Sequence, residues 1–303
     1  KIFFKMISFF SHGKLLLTGE YTVLNGSKAL ALPTKVGQTL NYNPIDSDTL
    51  IWKSYDSNGI LWFEVKFKVD SLELIATTDL KIWKSLYKVL RATKKLNSTF
   101  LIKGGQVDTR LEFDRSWGLG SSSTLISNIA LWGNCNPYII LDKSFGGSGF
   151  DIACAQAKGP LTYTRNNYSP YIKSVELNYP FIENLFFVHL NKKKDSQKAV
   201  AGFDLNKVEV SIISQISKLT ELMINCNDQD DFNLYLKTHE KIIGSILNRR
   251  TVQEVFFSDF EGIVKSLGAW GGDFVLVSGN KESPNYFKKL GYPTIISFKE
   301  MIL

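Results

Sequence analysis

One stretch constrains what this chain can fold into more than any other. It reads Trp117-Gly118-Leu119-Gly120-Ser121-Ser122-Ser123-Thr124 and runs directly into the amphipathic pattern Leu125-Ile126-Ser127-Asn128-Ile129-Ala130-Leu131. A glycine-rich turn that opens a helix leaves several backbone N–H groups unpaired at the positive end of the helix dipole, with the three serine hydroxyls beside them. Such a turn is a phosphate cradle. It is equally the make-up of an ordinary helix N-cap, and taken alone the segment fits both. The P-loop pattern and the Gly-x-Gly-x-x-Gly dinucleotide fingerprint are both absent from the chain.

With 303 residues, 44% of them hydrophobic and 21% charged, the chain has the composition of a soluble globular protein and the length of two ordinary domains. Its net charge of +7 is compatible with a polyanionic partner of any kind. The basic residues are scattered apart from Lys192-Lys193-Lys194, with no basic tract interleaved with stacking aromatics, so nucleic acid is not the expected partner. Cys135, Cys154 and Cys226 are odd in number and widely spaced, which speaks against a disulfide framework or a zinc site and for a reducing, cytoplasmic setting. Lys5 interrupts the apolar opening Ile2 to Phe10 and no small-residue cleavage site follows, so a signal peptide is not expected; Met6 is a candidate start. No run reaches the roughly 18 apolar residues of a membrane helix.

Strands are expected at Ile7 to Phe10, Leu15 to Thr18, Gln38 to Asn43, Leu50 to Lys53, Leu61 to Lys68, Thr99 to Ile102 and Asp108 to Phe113. Helices are expected at Asp79 to Ala92 and Phe150 to Ala157, the first on the spacing of Leu80, Trp83, Tyr87 and Leu90. From the buried strand Leu185 to Leu190 the pattern restarts, with helices at Asn206 to Cys226, Asp231 to Arg249 and Val252 to Leu267, the last closed by Gly268 as a left-handed cap. Strands at Phe274 to Ser278 and Thr294 to Phe298 flank a short helix begun by Ser283-Pro284. The layout is α+β in two halves, residues 1–183 and 184–303.

Three further glycine-punctuated segments accompany the cradle. Gly13-Lys14 precedes Leu15-Leu16-Leu17 and Gly19-Glu20-Tyr21; Gly146-Gly147-Ser148-Gly149-Phe150-Asp151 places a carboxylate at a helix start; Gly268-Ala269-Trp270-Gly271-Gly272-Asp273 makes a turn whose backbone can approach a ligand closely. Singly, a lysine before a strand is usually structural, and an aspartate after Gly-Ser-Gly is usually a helix cap. Four such segments in this order are far more specific. Over nearly its whole length, Ser11 to about Val277, the chain resembles the GHMP kinase superfamily of small-metabolite kinases. His12 to Gly26 is similar to that family's first motif, Gly118 to Thr124 to its second and Gly268 to Asp273 to its third. The spellings Gly-Glu-Tyr, Gly-Ser-Gly-Phe-Asp and Gly-Gly-Asp lie nearest the phosphomevalonate and mevalonate kinases.

The resemblance implies an N-terminal domain like ribosomal protein S5 and a ferredoxin-like C-terminal domain. ATP would lay its triphosphate on Gly118, Leu119, Gly120, Ser121, Ser122 and Ser123, with Ser122 touching phosphate or Mg²⁺. Lys14 and Asp151 would face the acceptor, the aspartate as general base and the lysine stabilising negative charge. Glu20, Gly149, Ala269, Gly271 and Gly272 would lie on the substrate side or in the third motif. The partner would be a small acid alcohol, mevalonate or its phosphate; a homodimer is left open. For a phosphate acceptor, Arg110, Arg115, Lys192, Lys193, Lys194 and Lys198 are the cationic candidates. The chain departs from the pattern at His12, where proline is usual, at Trp270, where glycine is usual, and in lacking a clear Mg²⁺-binding glutamate, Asp142 being the nearest acid. Those departures keep open a kinase for another alcohol or sugar, and a non-catalytic protein that senses a ligand.

Overall fold

The computed structural model describes residues 5–192, 203–204, 208–270 and 272–303. The chain divides into two compact units that interleave along the sequence: residues 5–13, 36–115 and 120–156 in the first, and 14–35, 116–119 and 157–303 in the second.

β1 (Ile7–Leu16) pairs with β2 (Ala29–Pro44), and in the first unit the later part of β2 pairs antiparallel with β6 (Gly105–Leu111), Leu40 opposite Thr109. β6 lies parallel to β3 (Thr49–Tyr55), and the antiparallel strands β4 (Leu61–Lys68) and β5 (Leu74–Thr77) complete the order. Period-two alternation sends Leu50 and Trp52 of β3, and Phe63, Val65 and Phe67 of β4, to one face. Helix α1 (Leu80–Leu96) covers that face with Trp83, Leu86 and Leu90, and its first turn is held by Asp79, whose Oδ1 accepts from Lys81 N–H and Ile82 N–H at 2.8 and 3.0 Å. Three more helices, α2 (Ser121–Trp132), α3 (Pro137–Ser144) and α4 (Phe150–Ala155), add Ile126, Ile129, Ile140 and Ile152 to the same core.

In the second unit, the first residues of β2 pair with β7 (Leu161–Thr164), which pairs with β8 (Tyr171–Ser174). A separate antiparallel sheet has the order β10-β11-β9-β12, built from β9 (Leu185–His189), β10 (Ile263–Ser266), β11 (Phe274–Ser278) and β12 (Ile295–Ser297). Its helices are α5 (Val210–Ile224), α6 (Gln229–Leu247), α7 (Val252–Phe256), α8 (Ser283–Lys289) and α9 (Phe298–Met301). No helix among the described residues is long and apolar enough to cross a membrane, and the three cysteines are free thiols.

Several elements differ from expectation, each for a local reason. The helix expected over Val252 to Leu267 ends at Phe256, and its second part is strand β10. The apolar spacing there imitated a helix, but a Cβ at Gly262 would lie 2.3 Å from the Ser278 carbonyl, a close approach of two strands. Gly268 therefore follows a strand. Residues 99–101 form a turn instead of a strand, with Leu101 at a positive φ of 56°. Ile7–Leu16 is one strand, so Gly13 and Lys14 lie inside it rather than ahead of it. Helix α3 escaped the periodicity although its start was written in the sequence: Pro137 occupies the first turn, and the Asn136 side chain accepts from Tyr138 N–H at 2.9 Å.

Candidate functional site

The second unit brings three of the glycine-punctuated segments together. Lys14, near the end of β1, donates its backbone N–H to Leu119 O at 2.9 Å and its ammonium to Gly118 O at 2.8 Å. Main chain and side chain of one residue thus both hold the glycine-rich loop. Gly118 has φ +66°, and a Cβ there would sit 2.3 Å from the carboxylate carbon of Asp273, so the third segment packs directly on the second. Asp273 is tied in turn to the end of β9, its N–H donating to Lys192 O at 2.7 Å and its carbonyl accepting from Leu190 N–H at 2.8 Å. Beneath the loop, Trp117 meets the Phe274 ring edge-on, with 5.4 Å between centroids, and His189 packs on that same phenylalanine. The hydroxyl of Tyr21 donates to Ala269 O at 3.0 Å, linking the first segment to the third.

Glu20 does not reach a surface. Its carboxylate and the Lys265 ammonium are wholly buried and form an ion pair, with Glu240 Oε1 3.7 Å from the same ammonium. His239 Nε2 accepts from Gly19 N–H at 3.0 Å, which makes the imidazole neutral with its proton on Nδ1. Burial, followed by the Lys265 charge, holds His239 well below its usual range. Burial also raises Glu20 against the lowering influence of Lys265, and pushes Glu240 from 4.5 to about 7. With one ammonium between two buried carboxylates, Glu240 takes up a proton as pH falls through about 7. Glu20, His239 and Glu240 bring three potential metal-ligand atoms within 4.8 Å of one another, but the Lys265 ammonium supplies the cation there.

In the first unit, Gly120 takes φ +89° and opens α2 without any side-chain cap, leaving the first N–H groups of the helix to an outside acceptor. The three serines then separate by position. Ser123 is buried and donates back to Gly120 O at 2.8 Å; Ser121 is half-buried; Ser122 is exposed. The underside of α2 is pinned by Thr124 Oγ1 to Gln38 Oε1 at 2.7 Å, by Asn128 Nδ2 to Gln38 O at 2.9 Å, and by Ser11 Oγ to Asn128 Oδ1 at 2.8 Å. Asp151 stands half-buried at the start of α4 behind Gly149, which has φ +87°, and its Oδ1 accepts from Ile152 N–H at 3.0 Å.

The cationic candidates fall in different places. Arg110 lies over the Tyr55 ring at 4.9 Å and Arg115 over Trp62 at 3.7 Å, both in the first unit, while Lys192 lies over Phe256 in the second. Asp142 is exposed on α3. Gly271, Lys193, Lys194 and Lys198 lie outside the described residues. Sequence reasoning missed Lys265 and Glu240. The available signal was faint: a lone lysine between the apolar pair Ile263-Val264 and Leu267, where a charge that becomes buried needs a partner.

No protein-family model matches the chain, and no curated protein sequence is significantly similar to it. Solved structures do match it along nearly their full lengths. The Methanococcus jannaschii mevalonate kinase superposes with TM-score 0.67 at 17% identity, covering 97% of each chain. The Streptococcus pneumoniae phosphomevalonate kinase in complex with phosphomevalonate and AMPPNP gives 0.69 at 16%, covering 96% of this chain and 100% of that one. The Lactococcus lactis galactokinase complexed with galactose gives 0.65 at 13%, covering 99% and 94%. At such identities the likeness is one of architecture, and the α+β fold of this chain is that of the GHMP kinases.

Proposed function

We propose that the protein is an ATP- and Mg²⁺-dependent small-metabolite kinase of the GHMP type, acting on mevalonate or phosphomevalonate as a cytoplasmic enzyme of isoprenoid precursor synthesis. On this reading its domains are residues 1–183 and 184–303. The observation that carries the reading is the bond from Lys14 Nζ to Gly118 O, which joins two motifs 104 residues apart in the chain. A lysine that serves only to finish a strand has no reason to grip a glycine-rich loop with both its side chain and its main chain.

The residues divide the work as phosphoryl transfer requires, mainly by positioning and charge neutralisation. The uncapped start of α2 offers N–H groups at Ser121 and Ser122, a donor set that fits a triphosphate, and the exposed Ser122 hydroxyl is the ligand that this turn presents to Mg²⁺. Buried Ser123 shapes the turn. Lys14 stabilises negative charge on the transferring group and Asp151 takes the proton of an acceptor hydroxyl; an acceptor that is already a phosphate makes the base dispensable. Gly149, Ala269 and Gly272 are assigned to the substrate side or the third motif, as is Gly271, which lies outside the described residues.

A second reading has its own observation. Trp270, where related kinases carry glycine, is 3% exposed at φ +56°, and a bulky buried residue in that turn suits a ligand sensor that no longer turns over. Coupled ADP release from Mg-ATP, with mevalonate, phosphomevalonate, homoserine and galactose each as acceptor, separates the readings and identifies the acceptor. Turnover with one of them is expected. ATP binding without turnover on any of them would establish the sensor.

A further inference from the structure

The buried charges of the second unit join the same pieces that the proposed site needs. Lys265 Nζ reaches Glu20 Oε1, lies 3.7 Å from Glu240 Oε1 and donates to Ser266 O at 2.9 Å. Each partner belongs to a different element. Glu20 follows Gly19, whose N–H is held by His239 of α6, and precedes Tyr21, whose hydroxyl holds Ala269. Glu240 is on α6, as is Gly244, where a Cβ would meet the Trp270 ring at 3.3 Å and the Arg249 carbonyl at 2.9 Å. Lys265 itself is on β10, three residues before the Gly268 turn. Glu240 is thus faced by Lys265 and Ser266 from β10 and by Glu20 from the first segment, with His239 its neighbour on α6.

Apolar side chains of the same volume would stabilise such a core at least as well as a buried ion pair, whose desolvation offsets much of its attraction. What an ammonium among directional acceptors adds is register. We propose that Lys265 is a positioning residue: by binding Glu20 Oε1 and the Ser266 carbonyl, with Glu240 of α6 3.7 Å away, it sets the Lys14–Tyr21 segment against the turn at Gly268, Ala269 and Trp270, and so fixes where Lys14 stands over Gly118. Its effect on turnover rests on the kinase reading above, whereas the structural link does not.

The test uses the full chain with Lys265→Met, Glu20→Gln and the double variant, in which both partners are neutral. Hydrogen–deuterium exchange is followed in peptides covering residues 17–24 and 267–276. Lys265→Met is expected to speed exchange about tenfold in both peptides and to leave α1 unchanged, and the double variant, which has no orphaned charge but also no ammonium, to exchange as fast as Lys265→Met. With the best acceptor, kcat is expected to fall by about tenfold to a hundredfold while KM for ATP stays within a few-fold, and to stay low in the double variant. Faster exchange in one peptide alone, or a return of both peptides to the parent's rate in the double variant, would overturn the proposal, the latter because an orphaned buried charge would then explain the whole effect. If Lys265→Met does not fold, Glu20→Gln is expected to loosen the same two peptides, and loosening confined to one has the same overturning force. Should no acceptor be turned over, the kinase reading fails and the exchange pattern still decides the link.

Discussion

Replacing Glu240 by Gln tests whether the buried cluster holds a proton. In the folded protein, burial beyond the reach of solvent pushes the Glu240 carboxyl from 4.5 to about 7, with Glu20 adding a second raising influence and Lys265 opposing both. A folded-state value above the unfolded one means that the contribution to stability is complete below pH 4.5, where the carboxyl is protonated in both states. It is lost as pH rises toward 7, where the unfolded chain sheds the proton that the fold retains. At about 1.4 kcal/mol for each tenfold change in proton affinity, the interval from 4.5 to about 7 is worth roughly 3 kcal/mol. Glutamine copies the protonated carboxyl in shape and removes the titration. Urea denaturation of both proteins at intervals from pH 4 to pH 8 should therefore show a stability difference that grows by roughly 3 kcal/mol in favour of Glu240→Gln, most of it gained between pH 5 and pH 7. Titrating groups outside the Glu20, Glu240 and Lys265 cluster are common to the two proteins and cancel. A difference that stays level across that range would refute the reasoning, because Glu240 would then be ionised in the fold at no cost and Lys265 would be satisfying two carboxylates.

Other outcomes follow from the site geometry. Lys14→Met should lower kcat/KM by about a hundredfold to a thousandfold in the ADP-release assay while the circular dichroism spectrum is unchanged. Ser122→Ala should reduce turnover with little change in melting temperature, whereas Ser123→Ala, which removes the bond to Gly120 O, should cost about 1 kcal/mol of stability in urea. Gly118→Ala puts a Cβ 2.3 Å from the Asp273 carboxylate at φ +66°; it should destabilise the protein by about 2 kcal/mol or more and weaken ATP binding measured by calorimetry.

How much was legible depended on how local the cause was. The helix start at Asp79, the alternation in β3 and β4, and the glycines at the loop ends act over a few residues, and the sequence displays them. The segment Ile263 to Ser266 was misread because four apolar-to-polar positions fit a helix turn as well as a strand, and the deciding contact, Gly262 against Ser278, is between segments far apart in the chain. For the same reason the glycine-rich segments could be read as four and the Lys265 cluster could not be assembled: Lys265 shows only as a lone lysine among apolar neighbours, and its pairing with Glu20 arises when 245 residues of separation are closed. Ser121, Ser122 and Ser123 were likewise alike on paper, and burial alone set them apart.

The backbone gives a reason why such a cluster belongs beside these turns. Tyr21, Trp270 and Asp273 all carry positive φ, at 61°, 56° and 55°, in a conformation that costs a non-glycine residue roughly 1–2 kcal/mol. Strain of this kind persists where the surroundings over-determine the chain. Asp273 is held through its own backbone to the end of β9, but Tyr21 and Trp270 depend on partners from elsewhere: the Ala269 carbonyl for one, the bare face of Gly244 on α6 for the other. Both partners are placed by elements that converge on Lys265. Relaxing that convergence would let the two strained residues return to ordinary conformations, and the first and third segments would separate together. A rigid, directional hub under two strained turns is therefore a more economical explanation of a buried lysine than stability, which an apolar core would supply without it.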